Sequence, residues 1–560
     1  MILPNQDKLV PWTKEVIDRC RASSSARAAK ARSERQWIFT GSPDGNTSLL
    51  NKLYSHNERL SSYLFSPNDL RFSIDFTHHY GKDVLDKAEV AARALTREFE
   101  RRDIDMQFSQ GVRIALDHGV CLPKLTAGYG GVVCKLLMPW QVGVYREDRE
   151  GLGEQEAIVE TNIITPFDLW RRISHLPDAQ KLFQRALSYA KRKQAGDDAD
   201  TYFHQVLLAG TAPVVQTDPP FVQQPGGLVE VTADPMGSQM SPAVTSEMMI
   251  FHEVWVIDDE RQDYTTIQIV EPDILIAPRF KRTNMFVPEY LPYGLIRPNS
   301  MTPYFWGRSE IADLMKLQHL LRDRLDDIKK IMSMQYDRLL AFVGESGMTD
   351  ELYDQFRNAG WVTLGQGADV KDITPKVPEK AFEDVHDIIS MMDEVSGFTP
   401  ILKGQGEPGV RADNHAETLM RTASPRLRDR ALLVERQCAD LADKAFQLMA
   451  SKEAKAYWVT DDENSEFMLS QLPEDYRITV DSHSSSPIYE EDHKDIVAFL
   501  IKAGAIDGRS AMELLTIPNR DMYIARFVEM QAAKKAEQEK IMKEAETHPE
   551  LLKLIKGGKK

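Results

Sequence analysis

The residues of this chain specify an α+β fold rich in helix, on three grounds. Ile311, Leu314, Leu321, Leu325, Ile328 and Met332 recur at helical steps and draw one amphipathic stripe. Residues 249–257 (MIFHEVWVI), 264–270 (YTTIQIV) and 274–277 (ILIA) are short β-branched and aromatic runs that read as an antiparallel meander with one covered face. The chain has 560 residues, 42% hydrophobic and 28% charged, which gives a packed core and two to four domains rather than disorder.

Composition also excludes several function classes. The formal charge of −16 argues against a broad basic face that coats nucleic acid. Cys20, Cys121, Cys134 and Cys438 stand far apart with no CxxC, so neither a disulfide framework nor a structural zinc site is encoded. No run reaches the roughly 18 apolar residues of a spanning helix. The first residues carry no apolar secretory core, which gives an expectation of a cytoplasmic, water-soluble chain.

Along the chain, residues 1–47 read as a basic arm, mobile or docked on a partner, with eight basic and four acidic side chains in the first 40 residues. Helices are expected at 48–65 and 86–103, extended structure from Gly111 to Tyr145, and helices again near 166–175 and 178–194. Residues 211–246 hold six prolines and three glycines and read as a long loop. Residues 286–306 are rich in proline and aromatics. Ser309 is a candidate N-cap, with Glu310 and Asp313 in the first turn, for a helix of about 30 residues whose apolar stripe is broken at Gln318. Short pieces fill 339–378. A second helix follows from Glu379 to Ser396, with Phe382, Val385, Ile389 and Met392 on one face and Gly397 as its stop.

That second helix carries Glu379, Glu383, Asp384, Asp387, Asp393 and Glu394 against the single base Lys380. A solvated face is the ordinary reading of such a run. The other reading is a wall that must not hold an anion. Residues 398–413 form a glycine loop with Lys403, Gly404, Gln405, Gly406, Glu407, Gly409 and Arg411. No Lys-Ser or Lys-Thr follows these glycines, so it is not a phosphate-binding loop. Asn414 and Glu417 begin the next helix, inside which Pro425 either kinks one long helix or starts a new one. A strand at 476–480, a helix from 486, a capping box at Ser510 and Glu513 and a charged final helix to 546 complete the chain. No HExxH, GxSxG or metal-ligand spacing occurs, and the neighbours His78 and His79 point apart. No catalytic residue, metal or cofactor is expected.

The order of these elements, with LPYGLIRPNSMTPYFWGRSEIADLMKLQHLLRDRLDDIKK, GVRADNHAETLMRTASPRLRDRALLVERQCADLADKAFQLM and YRITVDSHSSSPIYEEDHKDIVAFLIKAGAIDGRSAMELLTIPNRDM, resembles the portal (head–tail connector) proteins of tailed bacteriophages, the short-tailed type in particular. The resemblance runs from about residue 48 to 530 and lies in arrangement, not in invariant residues. It implies a portal fold: a mixed wing domain (48–306 and, with the long kinked helix, 414–485), a two-helix stem (307–338 and 379–397), a small α/β clip (339–378), a tunnel loop (398–413), a helical crown (486–546) and a flexible tail (547–560). It further implies a homo-oligomer, typically a dodecamer, at one capsid vertex of the virion, assembled in the host cytoplasm. Double-stranded DNA would pass through its channel during packaging and ejection. The partners implied are the terminase large subunit, the neck/tail adaptor, and the major capsid and scaffolding proteins, with no membrane. The six acids of 379–394 become channel-lining candidates, and Glu351, Tyr353, Arg357 and Trp361 become clip candidates. Two other readings stand beside it: another oligomeric virion head–tail protein, and a soluble α+β enzyme with an acidic metal site near 379–394.

Overall fold

The computed structural model describes residues 4, 6–42, 48–67, 70–128, 131–194, 249–258, 263–277, 291–336, 340–343, 354, 369–372, 374–378, 380–397, 425–451, 455–459, 464–480 and 502. The chain divides into two units, Met1–Ser482 and His483–Lys560. Within the second, only Lys502 is described. The first is an α+β structure.

Its centre is a five-stranded antiparallel sheet of β4 (Val142–Val144), β5 (Ala157–Ile164), β6 (Met249–Asp258), β7 (Asp263–Val270) and β8 (Ile274–Ala277), in that spatial order. The expected meander is present, with Val254 opposite Ile267. It is covered on both faces rather than one. Helix α1 (Gln6–Thr40) lays Leu9, Val16, Ile17 and Cys20 on Val159, Val254, Val256 and Ile267. On the opposite alternation, Ile158 and Trp255 meet Leu291, Tyr293, Phe305 and Trp306, which is where the proline-aromatic passage goes. Helices α5 (Pro166–Ile173) and α6 (Ala179–Gln194) close the sheet over Phe251 and Val270.

Gln6–Thr40, within the segment read as a mobile or partner-docked arm, is therefore a helix packed on the chain's own sheet. Its arginine- and serine-rich composition hides a face that is apolar enough to pack. Gly143 makes this contact possible, because a Cβ there would lie 2.5 Å from the Cys20 carbonyl oxygen. Gly143→Ala is expected to cost about 1–3 kcal/mol, read as a lowered denaturant midpoint, because it drives helix from strand.

A second core is mostly helical. Helices α2 (Lys52–Leu64), α3 (Lys82–Arg101) and α4 (Ile104–His118) pack with a long helix at Pro425–Ser451, through Leu60, Leu95, Phe108, Leu116, Val434, Leu441 and Phe446. Strand β1 (Phe72–Phe76) pairs antiparallel with a strand at Tyr476–Val480, Ile74 against Ile478, so segments about 400 residues apart share one ladder. The extended structure expected from Gly111 begins only at β2 (Leu122–Gly128), which forms a hairpin with β3 (Gly131–Leu137). Gly111 is a helical residue at a close approach: a Cβ would sit 2.6 Å from Ile296 Cδ1. The helix stops instead at Gly119, whose φ is 94°.

The sheet contains a buried charge cluster that pattern reading does not anticipate. Glu160 on β5 and Glu253 on β6 are directly opposed in register, an arrangement that is repulsive by itself. Lys124 Nζ lies 2.6 Å from a carboxylate oxygen of each. Tyr293 Oη donates to Glu160 at 3.0 Å and Trp255 Nε1 to Glu253 at 2.8 Å. Burial alone would lower the Lys124 pKa, but the two carboxylates outweigh it and hold the ammonium charged.

Candidate functional site: an acid-faced helix pair

Two helices bracket the segment expected to form the clip. The first, α7 (Ile311–Tyr336), buries Ile311, Leu314, Leu321 and Ile328, as its spacing predicts, but Leu325 is half-buried and Met332 is exposed. The break at Gln318 is a device rather than a defect. Fully buried, Gln318 accepts from the Lys52 N–H at 3.1 Å and donates to the Leu50 carbonyl at 2.7 Å, sealing the start of α2. Ser309 turns its hydroxyl to the Asp117 carbonyl at 2.6 Å. Glu310 is buried in a junction: Arg430 lies at 3.1 Å, His56 at 3.7 Å and the Asn299 amide at 2.8 Å. Burial pushes this carboxyl up, yet His56, Arg430 and Asn299 together hold it down at about 2. The junction ties α7 to α2 and to the Pro425–Ser451 helix.

Beyond α7 the chain leaves through β9 (Leu340–Val343) and returns through β10 (Asp369–Asp372), an antiparallel pair with Val343 opposite Asp369. It then enters α8 (Ala381–Ser396), which packs on α7 through Ile388 and Met392, with Val385 and Ile389 half-buried. Phe382, expected on this face, is 60% exposed. The covered face is turned toward Ile388 and Ser396, which places Phe382 at its edge. Gly397 ends the helix as expected, with φ 77°.

At about 100° per residue, Glu383, Asp387 and Glu394 lie roughly 140–180° around α8 from Met392. Their stripe is thus opposite the face that α7 covers, and all three are exposed. Asp384 is exposed and Asp393 half-buried on the flanks. Glu383, Asp384, Asp387 and Glu394 make no ion pair among the described residues. The last turn holds Asp393 and Glu394 and no base. The helix dipole makes anions there unfavourable by about 0.3–1 kcal/mol each.

Glu379, the tunnel-loop candidates Lys403, Gly404, Gln405, Gly406, Glu407, Gly409 and Arg411, and the clip candidates Glu351, Tyr353, Arg357 and Trp361 lie outside the described residues. The helix that holds Pro425 is described from that proline to Ser451. The residues expected as the crown also lie outside the described set, Lys502 excepted. The Glu310–Arg430 junction has no sequence signal beyond an acid in a first turn. Among the described residues, no three His, Cys, Asp or Glu side chains converge as a metal site, and no helix is long and apolar enough to cross a membrane.

No family model matches the chain, and no curated protein matches it. Among solved structures, the chain is similar to one titled "Virion of native gene transfer agent (GTA) particle", at 12% identity and a TM-score of 0.39, over 87% of this chain and 93% of that one. A TM-score of that size does not establish a common fold.

Proposed function

We propose that this protein is a structural component of a phage-type virion and serves as its portal: one wedge of a closed ring, typically of twelve copies, through which double-stranded DNA is packaged and released. The observation that carries the reading is the acid stripe Glu383, Asp387 and Glu394, turned away from α7 and without an ion pair among the described residues. Duplex DNA carries one charge per about 1.7 Å of axis and binds lysine-rich surfaces tightly by releasing counterions. A conduit needs the reverse, a wall on which phosphate finds no deep minimum. Repeated around a ring, the outer face of α8 supplies that wall, and the dipole cost of its last turn is repaid by passage rather than by stability.

Two packed helices that bracket an insert entered and left through an antiparallel strand pair suit a stem with a clip at its end. In this reading the clip meets the terminase large subunit and then the neck/tail adaptor, and the remaining surface meets the major capsid and scaffolding proteins. The role is structural rather than catalytic, and it requires no cofactor. Light scattering on the purified chain is expected to give a mass near twelve times 63.6 kDa. A monomer at all concentrations contradicts the reading. Deleting residues 404–409 is expected to leave the ring intact and to impair DNA packaging, scored as filled against empty heads; normal filling removes the tunnel role from that loop.

A further inference from the structure

Helices α5 and α6 form a basic surface on an acidic chain. Residues 165–194 hold seven arginines and lysines against two aspartates, although the whole chain carries −16. Helix α6 itself has five bases and no acid. Two aromatic rings stand exposed on the same helix pair. Phe167 is 73% and Trp170 41% exposed, three positions apart on α5 and so on one face. Trp170 also makes an edge contact with Phe183 of α6, ring centres 5.6 Å apart at 83°, which holds its plane in place. Arg171, four positions after Phe167, has a side chain 70% exposed and only a long 3.8 Å contact to Asp168. The exposed His175 and Lys181 make no ion pair among the described residues. Arg172 and Arg185 are engaged elsewhere, over the Phe251 ring and with Asp273.

A single exposed ring needs no explanation, and neither does a surface arginine. Two rings with cations beside them and few acids near make the pattern that holds a nucleic-acid strand, rings for the bases and cations for the phosphates. We infer that the α5–α6 face binds single-stranded nucleic acid. Phe167 and Trp170 stack on unpaired bases, and Arg171 and Lys181 meet the backbone. The strand is single because a duplex keeps its base faces inside its own stack. An acidic protein segment would satisfy the cations alone; the exposed rings favour bases. The negative total charge argues against a broad basic coat and leaves room for a local one. This face is the opposite of the acid stripe on α8: one holds a strand, the other lets a duplex pass. The inference does not rest on the ring reading, since every group it uses belongs to one chain.

Fluorescence anisotropy of a labelled oligothymidylate of about 20 nucleotides, titrated with the full chain, tests this. Binding is expected, with log K falling against log salt at a slope of about −1.5 to −2, as two or three phosphate contacts give. Phe167→Ala is expected to weaken binding about tenfold at an unchanged slope. Arg171→Glu with Lys181→Glu is expected to weaken it by about tenfold or more and to flatten the slope. Phe167 is exposed enough to be truncated without unfolding the helix, and an unchanged denaturant midpoint verifies each variant. Lys329→Glu, at an exposed base of α7, is expected to bind as the parent does. No binding at about 50 mM salt overturns the inference, and so does a Lys329→Glu variant weakened as much as the α5–α6 ones. A duplex of the same length that binds as tightly overturns the stacking role. Polyglutamate that displaces the oligonucleotide, with Phe167→Ala binding as the parent does, makes the face a seat for acidic protein and overturns it too. A monomeric chain that binds removes the ring and leaves this inference standing; a ring that does not bind removes this inference alone.

Discussion

Lys124→Met is expected to be among the most damaging single changes in the molecule, at about 3–5 kcal/mol. The ammonium is the counter-charge between Glu160 and Glu253, two cross-strand carboxylates, the first of them 1% exposed. Without it the central strands hold opposed like charges in a buried layer, which the exposed Lys135 ammonium 3.7 Å from Glu160 offsets only in part and Tyr293 cannot neutralise. A large part of a domain's total stability is then lost. Urea titration reads the effect as a lowered midpoint. The triple variant Lys124→Met, Glu160→Gln, Glu253→Gln is expected to recover most of the loss, because a buried charge group replaced as a set leaves no orphan. If the triple variant is as unstable as the single one, packing at Lys124 and not charge sets the cost.

Glu310→Gln is the second large effect, about 3 kcal/mol at neutral pH, and it carries a pH signature. The Glu310 carboxyl ionises at about 2 in the folded chain against an ordinary 4.5. A lowered folded pKa means that the ionised carboxylate stabilises the fold. That contribution is complete above pH 4.5 and is lost as pH falls from 4.5 toward 2. The stability difference between parent and Glu310→Gln is therefore expected to shrink as pH falls from 4.5 toward 2. A difference that does not change with pH would show that Arg430 and His56 do not draw on the Glu310 charge.

Periodicity made the helix pair legible. The α7 stripe as far as Ile328 and the Gly397 stop are local patterns that the structure places as read, whereas Met332, at the far end of the predicted stripe, is 42% exposed. Even the flaw in the stripe, Gln318, proved informative once its partners at Leu50 and Lys52 were visible. The sequence was silent where the cause is distant. Glu310 meets Arg430 across 120 positions, and β1 meets its partner strand across about 400, neither of which any window of residues contains.

Misreadings had equally physical sources. Gly111 looked like punctuation because its need for a small side chain comes from Ile296, far along the chain. The N-terminal helix looked like a free arm because Leu9, Val16, Ile17 and Cys20 are sparse among arginines and serines, yet they suffice against a strand that offers Gly143. Phe382 shows the limit of a helical wheel: spacing gives the stripe, but the neighbour decides where its edge falls.

Image reconstruction of the purified assembly by electron cryomicroscopy bears most directly on the bore. The expected result is a closed ring with a central hole, in which Glu383, Asp387 and Glu394 of every copy face the axis. An assembly without a hole, or one in which those three side chains point to the outer surface, contradicts it.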